Sequence, residues 1–299
     1  MAITRTVATV LLLSGTAAYG SFWVSEFEGS AEQYRLVRDN ETIAIEQLML
    51  LQSADTINID NPGGRLLVVD ERNERYELTA ENTPFVVPES ASPPQLLINV
   101  RNWVASWWNT RGKQSTSTMA AVSKGGLEPK IFVATSGENF LLSGTREIHL
   151  AWRGGIQPFD LSIVSESGKL LGRRTGISGY NASLPEVALQ NGQYVMQVVA
   201  GVAETNITLT AVSTEQLPDP AEAILNLDLP DKIRFGHLAM LLSAFSHWRF
   251  EALQIAHSYN LTQLEHDLLF GDFPESDIGE TTSMPGLSDS GRQTQPRDD

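Results

Sequence analysis

Apolar and polar positions alternate with period two in two long stretches of the chain, and recur at helical spacing in two others. In the first stretch Phe22–Glu28 alternates, with Phe22, Val24 and Phe27 on one face. Thr42–Ile45 follows the turn pair Asp39-Asn40, and Asp55–Ile59 puts Ile57 and Ile59 on one face. After the breaker Asn61-Pro62-Gly63-Gly64 comes the apolar run Arg65–Asp70. Glu71-Arg72-Asn73-Glu74 turns it into Arg75–Thr79, and Phe85-Val86-Val87 closes the series between two prolines. About six short strands at this spacing predict a compact all-β sandwich or β-roll over 21–92.

The pattern then changes period. Leu96, Val100, Trp103 and Trp107 fall at i, i+4, i+7 and i+11, widened by Leu97, Val104 and Trp108. This predicts an amphipathic helix over 93–111. Three tryptophans within six positions carry roughly 150–250 Å² each, too much apolar surface to leave in water without reason. The helix either packs on its own β-module or docks a partner, a protein or a membrane interface. Gly112–Gly126 is rich in Ser, Thr, Gly and Lys, and 112–129 reads as a linker.

Strand patterning resumes over 130–213. Ile131-Phe132-Val133 is expected to open it. Ile148–Trp152 puts Ile148, Leu150 and Trp152 on one face, which directs His149 outward. Phe159–Val164, Lys169–Arg173, Tyr194–Val199 and Asn206–Val212 follow. From Pro218 to residue 271 the spacing is helical again. Asp219 and Asp231 are expected to cap helices, and Phe235, Leu238, Leu242 and Phe245 share a face that Trp248, Ala252 and Ile255 continue. Thr262-Gln263-Leu264-Glu265 is a capping box for a last short helix. That helical region resembles a single tetratricopeptide-type hairpin, which packs on the sandwich or on a partner. Residues 272–299 are polar and acidic and read as a disordered tail.

The first 20 residues set the expected compartment. Arg5 is followed by the apolar Val7–Leu13 and by Ala18 and Gly20 at the spacing of a signal-peptidase site. We expect a signal peptide over 1–20, or else an uncleaved anchor, and an extracytoplasmic chain, periplasmic in a Gram-negative-type bacterium. Contact with the membrane is expected only through that segment. Composition narrows the functions. In 299 residues there are 21 Lys and Arg against 36 Asp and Glu, a formal net charge of −15, which argues against nucleic acid as a partner. Zero cysteines remove disulfides, thiolate nucleophiles and cysteine-ligated metal.

Two resemblances add to this. An opening strand, Leu51, Ala54-Asp55-Thr56-Ile57, a Gly-containing turn, Leu67-Val68-Val69-Asp70, Leu78 and Phe85 resemble the FecR-type periplasmic domain over about 24–92. Ala54 stands where that family usually carries glycine, and Glu71 where its hairpin does. The resemblance implies a β-domain that signals through other proteins. In the second stretch, Leu189-x-x-Gly192-x-Tyr194 leading into a strand has the spacing of a tyrosine corner. With Trp152 it is similar to a fibronectin type III or related immunoglobulin-like sandwich over about 130–213. The predicted fold class is therefore mainly β, two small all-β domains with a linking helix and a C-terminal helical hairpin.

No residue pattern points to catalysis. His237, His247, His257 and His266 are spaced so that no two share a helical face as ligands do at i, i+4. The run Asp55, Asn58, Asp60 lacks the spacing and closing Glu of a calcium loop and reads as a solvated strand edge. Asp70, Glu71 and Glu74 crowd what reads as an exposed turn. We expect no catalytic, cofactor or metal residues. The expected function is a non-enzymatic envelope adaptor whose partner is another envelope protein, with Trp103, Trp107, Trp108 and Trp248 as candidate contacts. A cell-wall or carbohydrate-binding module is the alternative.

Overall fold

The computed structural model describes residues 21–89, 94–112, 128–134 and 137–270, with the side chains of 107–112 and of 270 left aside. The expected signal segment, most of the linker and the acidic tail lie outside the described residues.

Eight strands build the first module: β1 (Phe22–Phe27), β2 (Tyr34–Arg38), β3 (Glu41–Ile43), β4 (Leu50–Leu51), β5 (Thr56–Ile59), β6 (Arg65–Asp70), β7 (Arg75–Thr79) and β8 (Phe85–Val86). They form two four-stranded sheets, ordered β4-β1-β6-β7 and β3-β2-β5-β8. Phe22, Val24, Leu36, Ile57, Leu66, Val68 and Leu78 are buried together in one core. The period-two pattern put Phe22 and Val24 inward, and so they are. Trp23 and Val69, of opposite parity, are buried as well and join a second core with Leu97 and Val100. The sheet is thus covered on both faces, as strands are when helices lie on them.

Two carboxylates expected at solvent are structural. Asp55 is buried and takes a two-oxygen ion pair from Arg38 (2.8 and 2.6 Å) and the Gln52 N–H (2.8 Å). Asp70 is buried and accepts the N–H groups of Arg72 and Glu74 (2.9 and 2.8 Å), which fixes the β6–β7 turn. A short acceptor side chain beside a tight turn replaces water for amides that no strand partner reaches.

Helix α1 (Gln95–Gly112) follows. Its buried stripe is Leu97, Val100 and Val104, with Leu96 and Trp103 at its margins. The second sandwich comprises β9 (Asn139–Leu142), β10 (Gly144–Ala151), β11 (Phe159–Ser165), β12 (Leu170–Ile177), β13 (Asn181–Leu189), β14 (Gly192–Ala200) and β15 (Ala203–Val212). One sheet runs β12-β11-β14-β15-β9, with β9 parallel to β15; the other is the antiparallel pair β10-β13. The expected strand at Ile131-Phe132-Val133 is only a single bridge, Lys130 to Arg153. The tyrosine corner is formed: Tyr194 OH donates to the Gln190 carbonyl (2.8 Å) and accepts its N–H (2.9 Å). Met196, two residues on, is fully buried where antibody domains carry a cysteine.

The C-terminal region is α2 (Ala221–Leu225), α3 (Asp231–Ser243), α4 (Arg249–Ser258) and α5 (Thr262–Phe270). Asp219 and Asp231 do not cap: Pro220 and Pro230 hold the cap positions of α2 and α3, and Asp231 pairs with Arg234 within the first turn. A proline suits the start of a helix because its missing N–H costs nothing there. Helix α3 lies on the first module, and α4 on β9 and β10 of the second, so the hairpin fills the space between the two β-modules.

Candidate functional site

The sandwich edge formed by β10 is where most of the unexpected chemistry converges. On a two-stranded sheet β10 has β13 on one side, so its other edge carries backbone groups that need partners. Helix α4 supplies them from side chains. Gln254 Oε1 accepts the His149 N–H (2.7 Å) while its Nε2 donates to the His149 carbonyl (2.9 Å). One turn earlier Glu251 accepts the Leu142 N–H (3.1 Å) and both of its oxygens lie 2.8 Å from Arg146 Nη1. Burial raises the Glu251 carboxyl above its ordinary range, and Arg146 draws it back down.

This docking turns His149 from a surface residue into a buried one, 7% exposed. Its ring stacks on His257 of α4, centroids 3.7 Å apart and planes 7° from parallel. Glu265 of α5 completes the group. Its Oε1 is 2.9 Å from His257 Nδ1 and 3.6 Å from His149 Nε2. On the far sides, His149 Nδ1 meets Ser183 Oγ at 3.1 Å and His257 Nε2 lies 3.9 Å from Glu147. Burial, and next the neighbouring His257, push the His149 pKa down to about 4, so the ring is neutral near pH 7. The group sits in a cleft of about 570 Å³ lined also by Trp152, Arg153, Tyr180 and Leu269. The buried indole N–H of Trp152 has no acceptor among the described residues.

Sequence reasoning missed this group because its members lie on three elements. Strand parity points His149 away from the sandwich core, and α4, laid on that outer face, buries it. Glu265 was expected to close a capping box on Thr262; its carboxylate turns to the two histidines instead. The remaining histidines stand apart. His237 is fully buried in α3, its Nδ1–H 2.8 Å from the Ile233 carbonyl, and His247 packs edge-on against Phe140. His266 points away at the surface of α5, with 69% of its side chain exposed.

The tryptophan candidates divide. Trp248 is 1% exposed and packs edge-to-face on Phe140, so it is core and not a contact surface. Its burial follows from the short turn Ser246–Trp248, which tips the indole under β9. Trp103 is half-buried against Phe245 (5.9 Å between rings). The side chains of Trp107 and Trp108 lie outside the described residues. Four exposed large apolar side chains lie elsewhere, at one end of the second sandwich. Ile156 and Val202 sit in adjacent connections, since Phe159 pairs with Ala200 across β11 and β14. Phe132, beneath the Arg153 guanidinium, and Tyr180, whose ring is 5.5 Å from Phe159, lie at the same end.

No family model and no curated protein matches the chain. Among solved structures it is similar to the first immunoglobulin domain of Dpr1 bound to that of DIP-eta, 14% identical over 29% of this chain and 100% of that one, TM-score 0.22. It is also similar to a titin immunoglobulin tandem, 10% identical over 60% and 80% of the two chains, TM-score 0.23. A third likeness is to domains 4 and 5 of the S-layer protein SbsC, 8% identical over 61% and 72%, TM-score 0.21. The strand order and the tyrosine corner give the second module the fold of an immunoglobulin- or fibronectin-like β-sandwich.

Proposed function

We propose that the protein is a non-enzymatic binding adaptor of the cell envelope that acts through protein contact. The observation that carries the reading is the loop end of the second sandwich, where Phe132, Ile156, Tyr180 and Val202, all at that end, are 46% to 105% exposed. Isolated surface apolar residues are ordinary, but a group of four at the connections of one sandwich end is the kind of patch that a partner covers. Connections at one end of such a sandwich are also where antibody variable domains bind. The buried carboxylates fit a binding role, since Asp55, Asp70 and Glu251 are each spent on holding a turn or an edge. Export follows in this reading from the Arg5, Val7–Leu13 and Ala18-x-Gly20 pattern.

The finer reading, a FecR-like first module, gains support from Ala54. It stands at the position where that family carries glycine, and its φ is +67°. Such a backbone is costly for any residue with a Cβ and free for glycine, so the family's glycine and this geometry agree.

The test is a photo-crosslinking residue placed at 156 or 202 in the exported chain, with Ser167, in the turn at the other end of β11, as control. One discrete protein adduct from 156 and 202, absent from 167, is the expected result. Equal labelling from all three, or none, overturns the assignment of this surface. Retention on isolated peptidoglycan without any protein adduct would select the carbohydrate-binding alternative.

A further inference from the structure

We propose that His149 Nε2, His257 Nδ1 and Glu265 Oε1 form a binding site for a first-row divalent ion, zinc foremost, that pins α4 and α5 to strand β10. Two imidazoles and a carboxylate are a recognised donor set for zinc, with about 2.0–2.2 Å to each atom and a fourth position left open. Donors on one tetrahedral centre are then about 3.4 Å apart. The protein holds the two donor pairs on Glu265 at 2.9 and 3.6 Å, and one donor atom of each of the three residues lies within 4.8 Å of the others. An ion lies in the plane of each ligating ring, so His257 must rotate out of its parallel stack on His149; its side chain is 35% exposed. The fourth position opens on the cleft.

The surroundings already orient one of the two histidines, His149. Metal-bound histidines give their second nitrogen to an oxygen, which fixes the ring and its tautomer. Ser183 Oγ is placed for His149 Nδ1–H, while Glu147, 3.9 Å from His257 Nε2, is beyond hydrogen-bond reach. In the tautomer that donates to Ser183, His149 Nε2 turns a lone pair toward the Glu265 carboxylate at 3.6 Å. Two acceptors facing each other repel, and a cation between them converts that repulsion into two bonds. Gln254 clamps both backbone groups of His149, so this ligand cannot drift from α4. Zinc suits the site because its filled d shell imposes no geometric preference on donors that come from a strand and two helices.

The experiment uses the full exported chain, stripped with chelator. Zinc is titrated by calorimetry and cobalt by visible absorption, which reports tetrahedral coordination. One ion per chain is expected, with a zinc-dependent rise in melting temperature. Glu265→Gln and His257→Gln should weaken binding on the order of 100-fold, and Ser183→Ala by roughly 10- to 100-fold through loss of ring orientation. His266→Ala, which removes a neighbouring surface histidine, should bind as the parent does. Circular dichroism and the melting temperature of each stripped variant report its fold, and Glu265→Gln decides alone if His257→Gln does not fold. No saturable binding, binding unchanged in Glu265→Gln, or an equal loss in His266→Ala would overturn the proposal.

Discussion

At the scale of single residues, strain and burial give the sharpest expectations. Ala54 holds a left-handed backbone that costs an L-residue about 1–2 kcal/mol, and glycine avoids it at some entropic expense. Ala54→Gly should therefore raise stability by about 1 kcal/mol in urea unfolding, with no change in the denaturant slope; a loss of stability would refute the account. His237 gives a pH dependence. Complete burial is the main cause that lowers its pKa from 6.5 to about 4; the Ile233 carbonyl opposes the shift and the positive charge of Arg101 adds to it. The unfolded chain thus binds a proton that the folded chain refuses between about pH 6.5 and 4. Stability from this residue is complete above that window and falls as the pH descends through it, by up to about 3 kcal/mol. Unfolding of the parent and of His237→Gln, measured from pH 7 to 4, should differ in slope in that sense. Parallel curves would show that His237 is not the group responsible.

At the scale of elements, α4 is the informative case. Residues 249–256 are buried all round its circumference, so no amphipathic stripe announces which side meets what. Its polar side chains do the positioning. Gln254→Ala would leave the buried N–H and C=O of His149 without partners, each of which costs about 1–3 kcal/mol. We expect a loss of about 2–4 kcal/mol and faster amide exchange at His149 and Leu150. An effect below 0.5 kcal/mol would mean that water replaces the glutamine. The same helix explains why strand parity misplaced His149: alternation reports which face meets the sandwich core, and it is silent about a helix laid on the other face. The alternation itself was sound, since Ile148, Leu150 and Trp152 are all inward.

At the scale of the whole molecule, the two β-modules meet through helices. Leu48, itself at φ +63°, lies so near Gly236 of α3 that a Cβ there would come within 2.5 Å of its Cδ1. Lys232 pairs with Glu26 at 3.0 Å, Arg101 with Glu46 at 2.8 Å, and Gln47 reaches both the Ser25 and Asn260 carbonyls. Trp23, Val69, Val104, Leu150 and Trp248 belong to one continuous buried cluster. A shared core predicts that both modules melt in a single calorimetric transition whose van't Hoff and calorimetric enthalpies agree. Gly236→Val, by driving α3 off Leu48, should split that transition in two. Two separate transitions in the parent chain would show that the helical layer does not couple the modules.

The linear pattern determined what depends on neighbours a few positions apart. It gave the strand parity at Phe22-x-Val24 and Ile148-x-Leu150-x-Trp152, the helix after Pro94, and the corner at Tyr194. Periods of 2 and 3.6 residues arise from the backbone itself and therefore show in sequence. Whether Trp248 is a contact or core, whether Asp55 is solvated, and whether His149 meets His257 and Glu265 were decided only by tertiary structure. Each depends on which surface a distant helix covers, and that is set by packing between residues a hundred positions apart, which no local period records.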